Sequence, residues 1–179
     1  SAEGEALDKN FGVMEDLPRK PASHSVGMIC VYGANGQTVP FQTEFDANGV
    51  TIQATEAATI APWSVNVSSA SAIYGIATLI TESKHFLPVG GSVSVSLGDA
   101  NFDGSFEIVG VTDFTLTYQI DSADSLTAGH GTASATVAHV NTQSLDYGVG
   151  QNVIGSVELQ GDFMAWTLAD GLTGGADAE

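Results

Sequence analysis

The sequence predicts an all-β fold, an antiparallel β-sandwich or single jelly-roll barrel, on three observations. Apolar and polar residues alternate in short runs, as where Val93, Val95 and Leu97 alternate with serines, the pattern of a strand with one buried and one wet face. Turn signals such as Ala34-Asn35-Gly36 and Ala47-Asn48-Gly49 separate the runs, because Asn and Gly tolerate the positive φ of tight hairpins. No segment sustains a 3.6-residue apolar period. Eight or more short strands divided by turns suit a sandwich or barrel better than a helical layer.

The elements follow in order. Residues 1–22 read as an N-terminal arm and linker, since Leu17-Pro18-Arg19-Lys20-Pro21 forbids regular structure at both prolines. The β-domain is expected over 23–169. Its first strand covers 25–33, and 38–46 forms a second, with Val39, Phe41, Thr43 and Phe45 on one face and Pro40 marking an edge or bulge. After the Asn48-Gly49 turn, 50–54 completes a meander. Further strands are expected at 58–63, 64–67, 73–81, 92–97, 105–111 and 113–120. In the last of these Phe114, Leu116, Tyr118 and Ile120 oppose Asp113, Thr115, Thr117 and Gln119. Residues 127–140 carry small side chains on both faces, as in a strand lying closely under another layer, and strands at 153–160 and 162–168 end the domain. The glycine-rich, acidic stretch 170–179 is expected to be a flexible, solvated tail.

Charge narrows the function classes. Only Lys9, Arg19, Lys20 and Lys84 are basic, against 21 acidic residues, for a net charge of −17 over 179 residues. Such a surface disfavours nucleic acid as a partner, which needs a basic patch. In about 1 M salt the Debye length falls to about 3 Å, so this charge is tolerable in brine and serves there to hold water and cations. A halophilic setting is the favoured reading, and an ordinary acidic secreted protein is the alternative. No apolar run approaches the about 18 residues needed to cross a bilayer. The single Cys30 has no internal disulfide partner and sits in the apolar run 26–32, as a buried inert thiol does.

Few motifs carry chemistry. Asp99-Ala-Asn101-Phe-Asp103-Gly104-Ser105 resembles the first half of the calcium loop of EF-hands and dockerin modules, where alternate side chains converge and Gly permits the sharp bend. Asp99, Asn101 and Asp103 are therefore the candidate ligands of a structural calcium ion, with Glu107 as a further donor. The second half departs from the pattern, since Gly110 stands twelfth, where a bidentate carboxylate belongs. A hairpin turn with local Asx hydrogen bonds is the other reading. Gly129-His130-Gly131-Thr132 resembles the histidine motif of subtilisin-like proteases, but no serine motif of Gly-Thr-Ser-Met type accompanies it. His24, His85, His130 and His139 show no metal-ligand spacing. Trp63, Trp166, Phe163 and Tyr147 could stack on sugar rings, although tryptophan in a sandwich more often anchors the core. Asn66-Val-Ser68 fits an N-glycosylation acceptor.

In size, charge balance and strand pattern over residues 24–168, the chain resembles the single-jelly-roll major capsid proteins of membrane-containing viruses of halophilic archaea. That resemblance implies a barrel standing upright on a capsid, capsomers built with a related subunit, and a lipid vesicle beneath. The expected function is thus a structural virion protein that self-assembles through its β-domain, located in the virion, with no enzymatic activity. The alternative is a secreted β-sandwich module that binds carbohydrate or another ligand with calcium support.

Overall fold

The structure, a computed structural model, describes residues 19–179. Strand β1 (His24–Tyr32) opens the domain, and a turn at Asn35-Gly36 leads to the short β2 (Thr38–Val39). Pro40 ends β2 rather than bulging it, because it has no amide to donate to a ladder, and the chain turns through Gln42 at φ 65°. Strands β3 (Glu44–Ala47) and β4 (Val50–Ala54) form the expected hairpin, with Asn48 at φ 52° and Gly49 at φ 91°. After β5 (Ala58–Thr59) comes β6 (Ala61–Ile73), one strand of 13 residues where two short ones were expected.

Residues 73–81, read from the sequence as one strand, contain a turn. β6 ends at Ile73, and β7 (Ile76–Thr81) pairs back onto it. Tyr74 at φ 51° and Gly75 at φ 80° make the bend. An aromatic residue in the left-handed region is uncommon, so Ile-Tyr-Gly-Ile resembles a strand more than a hairpin. Strands β8 (Ser92–Ser96), β9 (Gly104–Glu107), β10 (Gly110–Thr112), β11 (Thr115–Gln119) and β12 (Leu126–Ala128) follow. Next is the 17-residue β13 (Gly131–Tyr147), then a single 3-10 turn at Val149–Gln151, β14 (Glu158–Leu159) and β15 (Met164–Thr167).

The fold is an all-β antiparallel sandwich/barrel organised on β13. Residues 52–67 run along one side of it, through β4 and β6. On the other side β8 pairs with its first half and β1 with its second. Both ends of this sheet curl back. Toward the second half, β13–β4–β3 and β13–β1–β15–β14 meet where the amide of Asp46 donates to Gln160 O at 2.8 Å and that of Gln160 returns to Asp46 O at 2.9 Å. Toward the first half, β6, β7, β11 and β10 are joined to β9 and β8 through Ile108 and Val109, whose amides bond Gly91 O and Thr117 O.

Two cores result, on opposite faces of the shared strand. Ala133 and Val137 point into one with Leu79, Phe102, Leu116 and Tyr118. Ala138 and Val140 point into the other with Ile29, Phe45, Ile52 and Leu159. The small residues on both faces of β13 are thus explained: each face is covered over part of its length.

The C-terminal residues differ from the expected free tail. Leu172 is 0% exposed and pairs with Val153, Thr173 pairs with Val26, and Ala176 pairs with Ser23. A Cβ on Gly27 would run into Gly171 O and Leu172, so the missing side chain in β1 is what lets this segment lie against the sheet. Asp170 and Asp177 are exposed, as the acidic composition suggested, but the backbone between them is docked. Most of the N-terminal arm, residues 1–18, lies outside the described residues.

Candidate functional site

Asp99, Asn101 and Asp103 share the β8–β9 connection, and their polar groups are turned on the loop itself. Asp103 Oδ1 accepts from the Leu97 amide at 2.6 Å and Oδ2 from the Gly98 amide at 3.0 Å. Asp99 Oδ1 accepts from the amide and the Nδ2 of Asn101 at 2.9 and 3.2 Å. The Asp103 amide closes the turn on Asp99 O. These are the local bonds by which Asx residues stabilise turns. Glu107 lies in β9 and is exposed. Among the described residues no three His, Cys, Asp or Glu side chains converge as a metal cage.

The aromatic and histidine candidates separate in the fold. Trp166 is buried, and Trp63 is half-buried with Nε1 donating to His85 O at 2.9 Å. Both serve as anchors. Phe163 packs against the second core, while Tyr147 is exposed and its ring lies 4.1 Å from that of His24. His130 is exposed in the turn before β13. Cys30 is fully buried, and burial pushes its thiol far above the ordinary range, so it is no nucleophile at neutral pH.

His85 and His139 instead hold the β7–β8 connection onto the body. His85 Nδ1 accepts from the Leu87 amide at 2.9 Å, so Nε2 carries the proton and donates to Thr112 O at 2.5 Å and Thr115 O at 2.9 Å. His139 Nε2 donates to Phe86 O at 2.7 Å. Burial lowers the pKa of both rings, as it does for any cationic group withdrawn from water. Both nitrogens of His85 are engaged by main chain, so its part here is structural. Phe86 between them stands at φ 53° and touches Trp63 and His139 edge-on.

This connection forms one wall of a cleft of about 230 Å³, whose other walls include Val26, Met28, Val111 and Leu168. Lys84 stands in it, 3.6 Å from Asp113 Oδ1 and 3.7 Å from Asp170 Oδ2, with Nζ 5.2 Å from the centre of the Phe86 ring. It is the only Lys or Arg after residue 20. The cleft is therefore apolar inside, with one cation and two carboxylates at its edge.

No family model matches the chain, and no curated protein matches it either.

A second surface was missed in the sequence. Residues 57–81 and 125–145 contain no Asp, Glu, Lys or Arg, and in the fold they supply β6, β7 and β12, side by side with β11. Register places Ser71 beside Thr78 and Thr127, Thr78 beside Thr117, Ser69 beside Ile80, and Ile73 beside Ile76. From Ser69 onward in β6, the outer face of these four strands thus bears Ser, Thr, Gln and Ile and no charged side chain. Ile73, Ile76 and Ile80 are 54%, 37% and 46% exposed, and Tyr74 at the hairpin tip is 84% exposed. The uncharged runs were visible in the sequence; that they align on one face depends on register.

Proposed function

We propose that the chain is a structural virion protein that self-assembles through its β-domain in high salt, of the kind built with a related subunit over a lipid vesicle. The observation that carries this reading is one charge-free sheet face on a strongly acidic molecule. Acidic side chains such as Asp99, Asp113, Asp121, Asp124 and Asp162 lie in turns and connections, while the outer face of β6, β7, β11 and β12 is uncharged and exposes three isoleucines. Copies of an acidic molecule repel each other wherever carboxylates face, so contact is favoured where none do. Exposed apolar groups within a polar surround are also what mark interaction surfaces. The all-β body and the charge balance further agree with the haloarchaeal capsid resemblance.

Sedimentation velocity in dilute and molar KCl tests the reading. Oligomers or particle-sized species are expected in molar KCl, where charge is screened, with dissociation toward monomer in dilute buffer. A monomer at all concentrations in molar KCl would overturn the assembly function.

A second reading, a secreted binding module, draws on one observation, the open polar recess lined by Asn101, Asp103, Ser105, Gln119 and Asp121. Its aromatic member, Phe106, is stacked on the buried Tyr118 ring at 4.3 Å, and the Asp103 carboxylate is already bonded to two amides. Assembly is the better supported reading.

A further inference from the structure

We infer that copies of this chain associate head to tail, the β6–β7 hairpin tip of one seating Tyr74 in the Lys84 cleft of the next. This rests on the assembly reading and names the contact. Tyr74 is 84% exposed at φ 51°, flanked by exposed Ile73 and Ile76. Gly, Asn or Asp would take that position without strain. A tyrosine there accepts backbone strain and gains no burial within its own chain. A partner that covers the ring supplies the missing return, and Tyr is a favoured anchor of interfaces because its ring is apolar and its hydroxyl polar.

The cleft has the matching chemistry. At about 230 Å³ it falls below the roughly 300–1,000 Å³ of small-molecule sites and suits one inserted side chain. Phe86 offers an edge or face to a second ring, Lys84 a cation beside it, and the exposed carboxylates of Asp113 and Asp170 accept a hydroxyl proton. The charge pattern also agrees. The tip lies within a run free of Asp, Glu, Lys and Arg, and the cleft holds the one Lys or Arg after residue 20. Lys84 offsets one of the two carboxylates at the cleft, and the tip itself brings no further charge.

The two parts lie at opposite ends of the same strands. Ile76, next to the tip, pairs with Gln119, whereas Ile80 pairs with Thr115 at the end where the His85 amide bonds Asp113 O. Tip and cleft of one molecule therefore cannot meet each other. Successive copies sharing the contact are heterologous, which yields rings or extended arrays.

The test uses three proteins in molar KCl, followed by sedimentation velocity and thermal melting. Tyr74→Gly relieves the strained φ, so its melting temperature is expected to stay level or rise while association weakens by roughly thirtyfold. Lys84→Glu leaves the tip intact and blocks the cleft with a third carboxylate, and it too is expected to lose association. A mixture of the two variants still holds one intact tip and one blocked cleft on one partner, and one intact cleft on the other. It should form a heterodimer that grows no further. Should Lys84→Glu fail to melt cooperatively, Thr173→Trp at the cleft mouth takes its place. Tyr74→Gly assembling as tightly as the wild type would overturn this contact and leave the assembly reading standing. A wild-type protein that never associates would overturn both.

Discussion

At the scale of single residues, chemistry-bearing side chains are turned to holding the chain in place. Asp103 shows it: a carboxylate positioned like a calcium ligand in sequence accepts two backbone amides in space. A seven-residue pattern specifies that the chain bends there, which Asp, Asn and Gly do for either purpose, but not where the lone pairs point. His85 is a second case. Its Nδ1 accepts from Leu87 and its Nε2 donates to Thr112 O and Thr115 O, so only the neutral ring satisfies all three. Burial holds its pKa below the ordinary 6.5. Between that lowered value and 6.5 the unfolded chain binds more protons than the folded one, so stability rises with pH in that window. The contribution of His85 is complete above pH 6.5 and is lost as pH falls below it. His85→Gln is expected to cost about 1–3 kcal/mol at pH 7.5 from buried polar groups left unpaired. The wild-type advantage in urea midpoint should narrow steadily below pH 6.5. A difference that stays constant from pH 7.5 to 5 would show that the ring does not titrate with folding.

At the scale of elements, the hairpin with the Asn48-Gly49 turn was legible and the one with Tyr74-Gly75 was not. The first announces positive φ through its residues, while the second contradicts local preference and is held by the ladder between β6 and β7. The Asn35-Gly36 turn joins two strands that pair elsewhere, β2 with β5 and β1 with β13 and β15. Strand length was also hidden. Nothing in 131–147 says that one strand continues for 17 residues, because the small residues that let it pass between two cores look locally like weak strand formers. The C-terminal segment is the plainest case: glycine and acid suggested a tail, yet Leu172 is fully buried and its backbone bonds Val153 both ways, at 2.9 and 2.8 Å. Leu172→Ala should therefore cost about 2–5 kcal/mol, read as a lowered denaturant midpoint with unchanged slope. A solvated tail would show no change.

At the scale of the whole molecule, the chain carries 21 acidic residues against four basic ones, and the described residues fold around two modest β-cores. Folding brings those charges closer together than they lie in the extended chain, so self-repulsion works against the compact state. Raising KCl from about 0.1 M to about 1 M shortens the Debye length from about 10 to about 3 Å. The melting temperature should rise over that interval at pH 7.5, most steeply at its low end. A melting temperature independent of KCl would remove the case for a brine-adapted surface. In the assembly proposed above, the same charge would leave the uncharged face of β6, β7, β11 and β12 as the place of least repulsion between copies.

Composition and alternation by themselves determined the all-β class, the hairpin with the Asn48-Gly49 turn, the buried Cys30 and the acidic surface. Each of these is a local property, set by a residue's own backbone preference, polarity or charge. Only the tertiary structure decided which uncharged strands share a face, that a glycine-rich end docks against Gly27, and that Lys84 lines a cleft opposite Tyr74. Those depend on register and closure between residues far apart in the chain, and register is settled by the whole set of contacts at once.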